Sequence, residues 1–240
     1  MSKNRNRNRT NNKARDNNDE KEYNIKTEFK KTWFLLALIA AMFIVSIVVY
    51  SDLPEKVPMH WNLQGEVDDY VNHFWGAFML PLIGLGIFLL MLVAPLIDPS
   101  KNNYSKFSKI YRLFRIIMIV FIAVLHFVVI SAALGYNLDI GRIIVLVLAI
   151  FYLVFGNYMP RIRHNYFLGI KSPWTLDSEK VWRKTHRFTG KLFLASGIIM
   201  LISVLFGDII RFILVMVSIL GSSIAGIVYS YFVYREEEDL

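Results

Sequence analysis

Cysteine is absent from the 240-residue chain, which excludes a disulfide, a thiolate zinc site and a cysteine nucleophile. Charge is scarce: 19% of residues are Asp, Glu, Lys or Arg, against 55% apolar. That balance is too apolar for an ordinary soluble domain. The charges are also unevenly placed. Residues 1–31 hold ten Lys or Arg and five acidic residues, whereas several long stretches elsewhere hold none. An uncharged run of about 20 residues, rising ~1.5 Å per residue, matches the ~30 Å hydrocarbon core of a bilayer. No small-x-small cleavage site follows the first apolar run, which is expected to be retained as a membrane helix.

The fold expected is an all-α integral membrane protein of about six transmembrane helices, over 32–50, 74–97, 113–134, 143–159, 192–206 and 212–234. The tail, 1–31, is rich in Asn and Arg with little to bury, and is expected to be a disordered cytoplasmic segment. Lys and Arg then alternate between rich and poor segments. The tail has ten, the first loop only Lys56, the second loop four, the third Arg142 alone, the fourth eight and the fifth Arg211 alone. By the positive-inside rule both termini are cytoplasmic. The net charge of +8 therefore reports orientation, and no direct nucleic-acid binding is expected.

Two constellations bear on chemistry. The outer loop, 51–73, carries His60, Trp61, Asn62, Gly65 and Asp69 among further acids. Two readings fit it: a compact loop shaped by prolines and Gly65, or a divalent-cation site of imidazole and carboxylate ligands, although no zinc-type spacing is present. His126 lies near the middle of the third span, where an ionisable group is costly. It is either a neutral histidine bonded to a neighbouring helix or a functional group. No catalytic motif joins His164 and His186 to Asp177 and Glu179, so no catalytic residue, metal or cofactor is assigned.

The longest polar stretch between spans is "GNYMPRIRHNYFLGIKSPWTLDSEKVWRKTHRFTGK", 156–191. Pro160 ends a helix, and Gly169 and Pro173 shape a turn. A helix start at Asp177 places Val181, Phe188 and Leu192 on one face. The expectation is one amphipathic cytoplasmic helix lying at the inner surface before, and continuing into, the fifth span.

These residues resemble the signature of the SdpI family of bacterial membrane proteins. The upstream "LPEKVPMHWNLQGEVDDY" is similar to the HWN-type module of unknown function that often precedes it. The resemblance divides the chain into an HWN-type module, 32–112, with two spans, an SdpI-like module, 113–234, with four spans and a signature loop at 160–191, and a short tail, 235–240. It implies immunity to a secreted peptide toxin at the bacterial cell membrane, with signalling by recruitment of a small winged-helix repressor. The matching positions are Asn165, Gly169, Pro173, Trp174, Thr175, Leu176, Val181, Trp182 and Arg187. They become candidates for a cytoplasmic signalling or immunity surface, with His60, Trp61, Asn62, Gly65 and Asp69 as the extracellular recognition loop. The competing reading is a membrane enzyme or transporter acting on lipid phosphates or ions. The signature departs from the founding pattern at Thr185–His186, and the long tail has no counterpart there.

Overall fold

The computed structural model describes residues 23–62 and 66–238. The tail to residue 22, the hairpin tip with Gly65, and residues 239–240 lie outside that range. Helix α1 spans Ile25–Val48, followed by a hairpin of β1, Lys56–Trp61, and β2, Val67–Asn72. Then come α2, His73–Ile97, α3, Tyr104–Ala133, α4, Ile140–Tyr158, the short α5, Pro173–Asp177, α6, Glu179–Ser203, and α7, Asp208–Glu238.

Among the described residues, α1, α2, α3, α4 and α7 are each long and apolar enough to cross a membrane. They also turn large apolar side chains outward, such as Val48, Phe127, Ile150 and Val217. In water such a surface would be untenable; in lipid it is the expected one. The chain is an all-α multi-pass membrane protein. Helix α6 completes the bundle although only its second half is apolar, and it packs along α4 and α7.

The helices form two groups. Helices α1, α2 and α3 pack on one another, α6 packs against both α4 and α7, and α3 meets α4 between the two groups. The third helix thus joins both groups, packing on the first two helices and setting Phe114 against Phe155 of α4. Tight approach of α4 and α6 is written into two glycines. A Cβ on Gly156 would come within 2.7 Å of the Gly190 carbonyl oxygen, and one on Gly190 within 2.8 Å of the Gly156 oxygen. Only backbone against backbone fits there.

Three boundaries differ from the hydropathy reading. Helix α1 begins at Ile25, within the segment 1–31 expected to be disordered, because Asn24 caps it by accepting from the Thr27 amide. Its first turns are then held by Glu28, which is buried and takes two hydrogen bonds from Arg112 of α3, at 3.0 and 3.1 Å. Helix α3 begins nine residues before 113, because Tyr104, Phe107 and Tyr111 bury their rings in the core. The outer loop is a β-hairpin, an element a search for helical runs does not register. Its strands pair Lys56 with Asn72, Val57 with Val71 and Pro58 with Tyr70, and the fully buried Val57 seats the hairpin on α2 at Gly76.

The hairpin and the 134–139 and 204–207 turns share one pole, where Arg211 pairs with Asp139 and Asp208. The opposite pole gathers the start of α1, the 98–103 turn, the 159–178 segment and the end of α7. The Lys- and Arg-rich segments meet there, so the positive-inside rule makes it the cytoplasmic face.

Candidate functional site

The segment after α4 is a folded object, not a mobile loop, and a few side chains hold it. Asn165 is fully buried and uses its whole amide. Its Oδ1 accepts from the Phe167 and Leu168 amides at 2.9 and 2.7 Å, and its Nδ2 donates to the Arg163 and Leu168 carbonyls at 2.8 and 3.0 Å. A side chain with both acceptor and donors is required, which is why Asn fits and Asp would not.

Asp98, beyond the end of α2, ties this loop to the first helix group. It accepts from the Ser100 amide at 2.7 Å, the Tyr104 hydroxyl at 2.7 Å and the Tyr166 amide at 2.9 Å. No sequence argument had singled it out. The signal available was Asp98-Pro99-Ser100, an Asx-turn pattern in which the carboxylate bonds the amide two residues on.

His186 and Trp182 form the centre. Both are buried, their rings stack with centroids 3.9 Å apart, and the Trp182 Nε1–H donates to the Ile162 carbonyl at 2.9 Å. The His186 Nδ1–H donates to the Trp182 carbonyl at 2.8 Å, which leaves Nε2 to accept from the Ile170 amide at 3.1 Å. Both nitrogens are committed to backbone in the neutral ring, and burial pushes the imidazole down to about 4. Gly169 makes that contact feasible. Its φ is +117°, and any Cβ there would fall on the His186 ring.

Ser172 and Thr175 form a capping box at the start of α5, which Pro173 opens. Thr175, fully buried, also donates to the Ile170 carbonyl at 2.8 Å. Ser172 Oγ meets Ser230 Oγ of α7 at 2.8 Å, and Trp174 sets its ring edge-on to Tyr231 at 5.1 Å. His164 donates from Nε2 to the Leu176 carbonyl at 2.9 Å. Asp177 and Glu179 are exposed, so the two histidines and two acids do not converge.

The sequence candidates thus divide by burial. Asn165, Thr175, Val181 and Trp182 are buried; Gly169, Trp174 and Leu176 are half-buried; Pro173 and Arg187 are exposed. The amphipathic stretch is the first part of α6, one helix with the fifth span. Its apolar face, with Val181 and Trp182, is covered by protein rather than by lipid.

At the other pole His60 is exposed and bonds Asp68 through Nδ1 at 2.6 Å, while Asp69 accepts from the Tyr70 amide. Asn62 and Glu66 bridge the strand ends through paired backbone and side-chain bonds. Trp61 and Asn62 border a groove that reaches Arg211 and α4. No group of three or more His, Asp or Glu able to hold a metal comes together among the described residues. In the third span, His126 Nε2 lies 3.2 Å from the Met42 carbonyl and 3.3 Å from Ser46 Oγ, so this buried ring is tied to α1.

With this geometry in place, comparison with known proteins becomes informative. Residues 161–230 match the SdpI/YfhL protein family. Those residues include every signature position described above. Residues 37–85, from within α1 through the hairpin to the middle of α2, match a domain of unknown function, DUF1648. The chain is 28% identical over 208 residues to the immunity protein SdpI of Bacillus subtilis (strain 168), an alignment covering 86% of this chain and 97% of that protein. No solved structure matches. The SdpI likeness and the apolar helices together make this a multi-pass bacterial membrane protein.

Proposed function

We propose that the protein is an SdpI-like immunity protein that protects the cell membrane from a secreted peptide toxin. The single observation carrying this reading is the likeness to a named immunity protein over nearly its entire length. The interior of the signature supports a binding role over catalysis. Asn165, Thr175 and His186 direct hydrogen bonds to loop backbone, and His164 ties the Leu176 carbonyl through Nε2 to Ser100 Oγ through Nδ1 at 3.2 Å, so these side chains hold the loop and its neighbouring turn together.

The toxin or its signal meets the hairpin pole, where His60, Trp61, Asn62 and Asp69 stand at or near the strand ends. The signature fold at the cytoplasmic pole is the relay. Its exposed rim, with Tyr166, Phe167, Lys171 and Pro173, is the surface to which a small winged-helix repressor is recruited. Aromatic side chains beside a cation give such a rim the composition of a protein-binding patch.

The test is survival of a sensitive bacterium expressing the protein and challenged with a membrane-depolarising peptide toxin. Wild type is expected to protect, and His60→Ala with Trp61→Ala is expected to lose protection at unchanged membrane levels. Absence of protection by wild type at normal expression would overturn the reading. Protection that survives loss of the hairpin side chains would move the toxin site elsewhere.

A further inference from the structure

Five cations of α6, Lys180, Arg183, Lys184, Arg187 and Lys191, line an open groove of about 540 Å³ between α6 and α7. Its aromatic wall is Phe188 stacked on Tyr229, with centroids 4.2 Å apart and planes at 21°. The charge in this groove is graded along its length. At the outer end Lys180 lies 3.4 Å from Glu237, and Lys184 lies 3.7 Å from Glu237 and 3.8 Å from Glu236. Arg183, Arg187 and Lys191 have no ion-pair partner among the described residues.

Depth along the helix identifies the ligand. Lys191 is the last charge before the apolar half of α6, whereas Lys180 stands roughly 16 Å further out at ~1.5 Å per residue. Two of the three uncompensated cations, Arg187 and Lys191, are therefore the two nearest the bilayer surface. Ala195 and Ile198, four and seven residues beyond Lys191 on the same face of α6, are exposed and apolar, so the groove runs on into a lipid-facing surface. An acidic protein approaching from the cytosol would first meet Glu236 and Glu237. A lipid phosphate approaching from the membrane meets only cations.

We propose that this groove binds the phosphate of an anionic phospholipid of the inner leaflet. Arg187 and Lys191 hold the phosphate oxygens, Arg183 adds a second guanidinium above them, and the Phe188–Tyr229 wall packs the glycerol portion. The acyl chains continue along Ala195 and Ile198. This site is independent of the toxin reading, and it seats a lipid against the two helices that carry the signature.

The experiment uses full-length protein purified in neutral detergent, with native mass spectrometry counting bound phosphatidylglycerol and phosphatidylcholine. Inorganic phosphate and a poly-glutamate peptide are titrated as competitors. Wild type is expected to retain phosphatidylglycerol in preference to phosphatidylcholine. Arg187→Gln with Lys191→Gln is expected to weaken it roughly ten- to hundredfold, in keeping with ~1 kcal/mol per cation at an anionic surface. Glu236→Gln removes one of the two carboxylates beside Lys184 and is expected to tighten binding about two- to fivefold, an outcome misfolding cannot produce. Equal retention of the two lipids, or phosphatidylglycerol binding unchanged in the double variant, overturns the proposal. Inorganic phosphate binding as tightly as the lipid would overturn the lipid as its source, and stronger binding of the peptide would assign the groove to an acidic protein.

Discussion

The α-carbon of Gly169 faces the imidazole of His186 so closely that no side chain fits between them, and the same backbone turn delivers the Ile170 amide to His186 Nε2. A loop glycine and a helix histidine seventeen residues apart thus fix one another. Gly169→Ala meets two penalties, a backbone φ of +117° that L-residues rarely adopt and an overlap with the ring. The expected loss is about 3 kcal/mol or more, with the loop released from Trp182. It is read as a lower melting temperature of purified protein with red-shifted tryptophan emission.

His186 makes stability depend on pH. Its folded value of about 4 lies below the ordinary 6.5, so the unfolded chain binds the proton more readily. The stabilisation is complete above pH 6.5 and is lost as pH falls toward 4, by about 3 kcal/mol at most. His186→Gln cannot protonate but offers an oxygen to the Ile170 amide. It should flatten the decline in melting temperature between pH 7 and 4.5; an unchanged decline would assign that proton to another group.

Trp174 and Trp182 should separate on mutation. Trp182 is buried and bonded to Ile162, so Trp182→Ala is expected to cost about 3–5 kcal/mol and deplete the protein from the membrane. Trp174 is half-buried against Tyr231, so Trp174→Ala should leave membrane levels near wild type. Immunoblots of membrane fractions check both, and comparable depletion would show that the two rings have the same structural weight.

His126 is tied to α1 through Met42 and Ser46. A hydrogen bond between membrane helices is worth about 0.6–1.7 kcal/mol. His126→Leu is therefore expected to lower stability by about that much and to leave protection against toxin intact. Loss of protection with unchanged melting would give the ring a functional role.

The pair Arg112–Glu28 is bidentate, with Glu28 buried and Arg112 only partly so. Removing the arginine leaves a buried carboxylate without its partner. Arg112→Ala is expected to cost about 3 kcal/mol or more, and the double variant with Glu28→Gln less than that single change. Thermal unfolding of the three variants measures the difference.

Much of the architecture was legible in the chain because lipid imposes a one-dimensional rule. Each span must be a helix of bilayer length, and Lys and Arg mark its cytoplasmic end. The runs at 74–97 and 143–159 accordingly fall within three residues of α2 and α4. Prediction was poorer where polar partners come from distant sequence. Glu28 and Arg112 extend α1 and α3 beyond their apolar runs because each satisfies the other. The hairpin escaped notice because a single turn of strand pairing has no helical periodicity.

The signature loop shows the same division. The resemblance to the SdpI signature marked Asn165, Gly169, Trp174, Trp182 and Arg187 as candidates. Only the tertiary structure decided which of them face inward. Trp182 carries charged neighbours in sequence, yet its ring is enclosed by His164, His186 and Ile162. The sequence by itself determined where the membrane lies, because burial in lipid is a local property of each run. Which polar groups close the loop, Asp98 and Ser230 included, depended on residues brought together from separate helices, and hydrogen bonds of that range leave no local trace.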